Sequence, residues 1–156
     1  MKPPMLAALA LLLFAGTTSA EDGPPVAETV TFVVSTGFWE EAAGEDGEAA
    51  EPEAMRRGYY KLIAERQTDG TAEVHLQQIE ATADGPKIAS STVLEEFSAL
   101  KPYVTDIRPE NSSGVTTQPG LFATVYLKTD PKALEPESWT VLIDDLGEIK
   151  VERATN

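Results

Sequence analysis

Residues Tyr59–Ala81 read YYKLIAERQTDGTAEVHLQQIEA, and the way this stretch turns back on itself decides the fold class. Thr68-Asp69-Gly70 suits a three-residue hairpin loop, a type I turn closed by a glycine in the left-handed region. That loop sets Gln67 opposite Thr71, so that Ala64 faces Val74, Leu62 faces Leu76 and Tyr60 faces Gln78. One face of the pair is then Tyr60, Leu62, Ala64, Val74 and Leu76. The other is Lys61, Glu65, Glu73, His75 and Gln77, interrupted by Ile63. A two-residue Asp-Gly loop would pair Arg66 with Glu73 and keep Glu65 away from Glu73, but it mixes apolar and polar residues on both faces. A slip of one residue turns every side chain over, and burying a whole face outweighs one exposed like-charge pair. The first register is therefore expected, with His75 on the wetter face beside Glu65 and Glu73. A lone histidine there reads as a surface residue, because catalysis or metal binding needs partners in definite geometry.

The same reasoning applies to SWTVLIDDLGEIKVER, Ser138–Arg153. A loop of Asp145-Leu146-Gly147 sets Ile143 against Ile149, Val141 against Val151 and Trp139 against Arg153. It gathers Trp139, Val141, Ile143, Ile149 and Val151 on one face, and a loop shifted by one residue scrambles both faces. Arg153 is expected over the Trp139 ring.

Between and before these hairpins the pattern is again that of strands. Thr29–Thr36 alternates and is dense in β-branched residues. Ile88–Thr92 reads as a short strand after the turn Thr82–Lys87, and Tyr103–Arg108 as another. Leu121–Lys128 is apolar on both faces, as a central strand should be. One short helix is expected in VLEEFSALK, with Leu94, Phe97 and Leu100 on one side, Thr92 as N-cap, Glu95 as its capping-box partner, and Pro102 beyond its end. No βαβ rhythm appears, so a parallel sheet is not expected. The fold class is mainly β: an antiparallel sandwich, a partly closed barrel or a curved sheet of about seven to eight strands with one short helix, α+β being the alternative.

Ahead of this domain, the first twenty residues have a basic start at Lys2, an apolar run from Met5 to Phe14 and a small-residue exit at Thr18-Ser19-Ala20. This reads as a secretory signal peptide. The run is shorter than the roughly 20 apolar residues that span a bilayer. Residues 21–156 are then expected to be a single soluble domain, periplasmic or extracellular after cleavage near Ala20. It must stand on its core alone, because the chain has no cysteine with which to form disulfides in an oxidising compartment.

The chain carries 26 acidic and 12 basic residues, a formal net charge of −14. Such a surface repels nucleic-acid backbones and anionic headgroups; it reads first as favouring solubility, with steering of a basic partner or collection of cations as the alternatives. The acids concentrate in FWEEAAGEDGEAAEPE, Phe38–Glu53, which holds seven acids and no base. It keeps neither strand nor helix periodicity and is expected to be a mobile acidic loop. The following PEAMRR suits a single helical turn ending at Gly58.

Little in this sequence looks like catalysis. No serine lies in a nucleophile-elbow setting. One histidine without cysteine does not make a typical zinc site. Oxygen ligands for calcium are plentiful, yet the acidic stretch lacks the EF-hand spacing, and Asp144-Asp145 stands where turn chemistry alone favours aspartate. No cofactor is expected, and calcium is a disfavoured alternative. The candidate binding residues are Phe38 and Trp39, where the first strand enters the acidic loop, Tyr59 and Tyr60, where that loop returns, and Glu40, Glu41, Glu45 and Asp46 within it. Aromatics framing acids suit a ligand or partner. The expected function is a non-catalytic exported domain that binds a protein or an envelope component. The alternatives are a small-ligand carrier with an apolar pocket and a small carboxylate-dependent hydrolase.

Overall fold

Eight strands and one short helix make up the structure, a computed structural model that describes residues 26–41, 55–110 and 117–155. In chain order these are β1 (Val30–Glu41), β2 (Arg56–Arg66), β3 (Ala72–Thr82), β4 (Gly85–Val93), α1 (Glu95–Leu100), β5 (Tyr103–Pro109), β6 (Leu121–Lys128), β7 (Glu137–Ile143) and β8 (Ile149–Arg153). They form two antiparallel four-stranded sheets, β1-β2-β3-β4 and β5-β6-β7-β8. Each is a meander in which every strand pairs with its sequence neighbour, and neither closes into a barrel.

Both hairpin registers follow from their alternation. In the first, Gln67 N–H donates to Thr71 O at 2.8 Å, Gly70 N–H donates to Gln67 O, and Leu62 faces Leu76. Asp69 braces the turn by accepting from the Thr71 amide at 2.9 Å and its hydroxyl at 2.6 Å. These two bonds hold the Asp69 carboxyl below its usual range. In the second, Ile143 faces Ile149 and Val141 faces Val151. The Asp144 Oδ1 accepts from the amides of Leu146 and Glu148. Trp139 does face Arg153, but the Arg153 guanidinium reaches the Glu137 carboxylate at 3.1 Å.

The dry faces of the two sheets meet in one core. Leu62, Val74, Val125, Leu127, Val141 and Phe97 are fully buried in it. α1 lies between the sheets in the chain and drives Phe97 into this core, edge-on to Trp139 with ring centroids 6.2 Å apart. The helix starts later than the capping pattern implies: Leu94, not Thr92, is its N-cap, and no side chain caps it. The reason is competition, since Thr92 belongs to β4 opposite Leu76 and the Leu94 amide donates to Val74 O.

The sheets also touch along one backbone seam. Phe38 and Gly120 exchange both of their amide bonds, at 2.7 and 3.1 Å. The contact requires glycine on both sides. A Cβ on Gly37, at φ 68°, would fall 2.2 Å from Gly120 O, and one on Gly120 would fall 2.2 Å from Ile143 O. At the other side of the first sheet, β4 is an edge strand exposed along most of its nine residues. It carries Pro86, Lys87 and a register shift opposite Gln78/Ile79, features that discourage pairing with another chain.

Two expectations are corrected here. The loop expected from Phe38 starts later, because β1 runs on to Glu41 and Phe38–Glu41 are strand residues. The helical turn expected in PEAMRR is not formed at Arg56 and Arg57, which open β2, and Gly58 continues that strand. The physical cause is pairing across the strands. Glu40 faces Arg57 and Glu41 faces Arg56, and opposite charges directly across a sheet stabilise it.

Candidate functional site

The end of β1 and the start of β2 approach the tip of the β7–β8 hairpin, and a cleft of about 90 Å³ opens between them. Trp39, Glu40 and Glu41 enter from β1, Tyr60 from β2 and Gln78 from β3. Pro119 and the turn Asp144–Gly147 close it from the second sheet. The register explains why Trp39 reaches the core side. Pairing is regular from Phe32 to Thr36, opposite Tyr60, and resumes at Trp39, opposite Gly58. The irregularity at Gly37 thus puts Trp39 on the same face as Tyr60, and both are buried.

Arg56 organises the cleft's far edge. Its guanidinium makes two bonds to the Glu80 carboxylate, at 3.0 and 3.2 Å, and one to Glu41 at 3.2 Å. It also lies over the Trp39 ring, 5.7 Å from the centroid. The hydrogen bond from Arg56 holds the Glu80 carboxyl below its usual range, and Glu80 raises the Arg56 guanidinium in return. Burial pushes the Tyr60 hydroxyl above its ordinary value of 10.0; Gln78 opposes that shift and the charge of Glu41 adds to it.

Two features of this cleft remain unsatisfied among the described residues. Trp39 Nε1–H is buried without an acceptor, a condition that costs about 1–3 kcal/mol. Glu40 and Asp145, both exposed, form no ion pair within 4 Å among the described residues, although Glu40 faces Arg57 across β1 and β2. The site therefore presents exposed acids at its rim beside an aromatic wall whose indole N–H is buried.

Of the residues singled out in the sequence, Trp39, Tyr60, Glu40 and Glu41 come together here. Phe38 is half-buried in the backbone seam with Gly120. Tyr59, next to Tyr60 in a strand, belongs to the opposite face of its sheet, and the Lys61 ammonium lies 6.0 Å from its ring centroid. Glu45 and Asp46 lie outside the described residues, as do most of the acidic stretch and the first twenty residues. Arg56, Glu80 and the turn aspartates were not legible as site residues. Arg56 read as the end of a helix, and Asp144-Asp145 read as turn chemistry, which Asp144 also performs.

His75 is remote from the cleft, on the outer face of the first sheet. Its Nε2 lies 3.7 Å from Glu65 and 3.6 Å from Glu73, which face each other across β2 and β3. The ring stands beside a like-charge pair that the hairpin register imposes, and Glu65 also accepts from the Thr29 hydroxyl at 2.8 Å. Among the described residues no group of three or more histidine, aspartate or glutamate side chains is placed to hold a metal ion. No described helix is long and apolar enough to cross a membrane. Comparison with known proteins gives no match to this chain, whether as a family model, a curated protein or a solved structure.

Proposed function

We propose that this chain is a non-catalytic exported domain that binds another protein or a component of the cell envelope through the cleft between β1, β2 and the β7–β8 turn. One observation carries the reading. Two sheets bring the buried Trp39 and Tyr60 to the same cleft as Glu40 and Asp145, exposed acids that form no close ion pair with a described residue. A partly aromatic wall with a charged rim is the anatomy of a recognition site. The packed interior, with Phe97, Leu62 and Leu127 fully buried at its centre, supports this reading over a carrier with an apolar pocket. Export is supported by the Lys2, apolar run and Thr18-Ser19-Ala20 pattern of the first twenty residues.

Native mass spectrometry of the mature protein, captured gently from the envelope fraction of its host, tests the proposal. A second mass is expected with the wild type and is lost from the charge-neutral variant E40Q/D145N, whose melting temperature stays close to wild type because both positions are exposed and no like-charge pair is created opposite Arg57. The same spectrum reads cleavage near Ala20 from the mass of the chain. A bare wild-type monomer, or a second mass retained equally by the variant, would overturn the assignment of this cleft.

A further inference from the structure

The cleft does not stand alone on this surface. A second hollow, of about 370 Å³, shares Pro119, Asp144 and Asp145 with it as common wall. The rest of this hollow includes Phe122 and Leu142, Cα partners across β6 and β7 on the outward face of the second sheet. They are 46% and 40% exposed, while Leu146, at the turn tip in the neighbouring cleft, is 87% exposed. Single exposed apolar residues need no explanation. Here a paired phenylalanine and leucine border an indentation, and that indentation adjoins the acidic cleft.

We infer that the two hollows form one docking surface for an extended segment of another protein, in which a lysine or arginine stands next to a large apolar residue. The inference rests on the reading of the cleft as the binding site and names the class of partner. The basic side chain lies between Glu40 and Asp145, and its apolar neighbour covers Phe122 and Leu142. Charge decides between occupants. The chain carries a net charge of −14, so a second copy would bring acids against acids and an anionic membrane surface would be repelled. A basic segment is attracted from a distance and held at short range.

Fluorescence anisotropy with labelled synthetic peptides tests this on the mature protein. Four peptides share one sequence except at a central pair: Lys-Leu, Gln-Leu, Lys-Ser or Glu-Leu. The Lys-Leu peptide is expected to bind roughly tenfold more tightly than each of the others, and to weaken as salt rises from about 50 to about 500 mM. Its advantage over Gln-Leu should vanish in E40Q/D145N. Its advantage over Lys-Ser should vanish in F122T/L142T, a variant that keeps β-forming side chains at outward positions. Equal binding of all four peptides, or binding of none, overturns the inference. So does self-association in sedimentation that F122T/L142T abolishes, which would assign the surface to a second copy. If the peptides fail while E40Q/D145N still loses an envelope protein, the partner class is wrong and the binding cleft stands. If both fail, the cleft falls as well.

Discussion

Arg56 holds two carboxylates and an aromatic ring with one side chain. Ion pairs this exposed contribute little individually, so its weight lies in placing Glu41 and Trp39 together at the cleft edge. The pH dependence has a definite sign. Glu80 is held below its usual value of 4.5 by the Arg56 hydrogen bond, so its contribution is fully present above that value and fades as pH falls through the lowered one. Arg56→Ala is expected to lower the urea midpoint at neutral pH. The gap from wild type should be constant above about pH 5 and narrow towards pH 3, as read by tryptophan fluorescence across a pH series. A gap that stays the same at pH 3 would mean that packing on Trp39, not the carboxylate, carries the effect. His75 shows the other outcome for a conspicuous residue. Its position was legible from the hairpin register, and its neighbours are the two acids that the register set against each other.

At the scale of elements, the seam between β1 and the residue before β6 is a demanding contact. Alanine at Gly147, where nothing lies within 4 Å of an added Cβ, should cost only the left-handed backbone penalty, about 1–2 kcal/mol. Alanine at Gly37 adds a clash with Gly120 O and should cost more than that by urea unfolding; equal losses would show that the seam yields freely. The two long hairpins were legible because each combines a turn of known chemistry with a clean two-residue period, so only one register buries a whole face. The outer half of β1 was not legible. Its period breaks at Gly37, and what keeps Glu40 and Glu41 in a strand is the pair of arginines across from them, information that sits far away in the sequence. The cleft was legible only in part for a similar reason. Trp39 and Tyr60 could be placed near each other by the returning chain, whereas their meeting with Asp144 and Asp145 depends on how two sheets pack. Two-residue alternation says which face is buried and nothing of what it is buried against.

For the whole molecule, one core serves both sheets, so they should unfold together. Phe97, fully buried and edge-on to Trp139, joins the helix to that core together with the partly buried Leu100. Phe97→Ala should cost about 3–5 kcal/mol. The unfolding curves by circular dichroism and by tryptophan fluorescence should still coincide; curves that separate would mean the sheets are independent units. The junction of Glu41, Arg56 and Glu80 has a wider consequence. The last described cross-strand pair between β1 and β2 is formed by the first two of these residues, with the third bracing it, so this end of the hairpin is clasped by charge. The clasp is a salt-sensitive latch, and rising ionic strength loosens that end of the sheet while the apolar core holds.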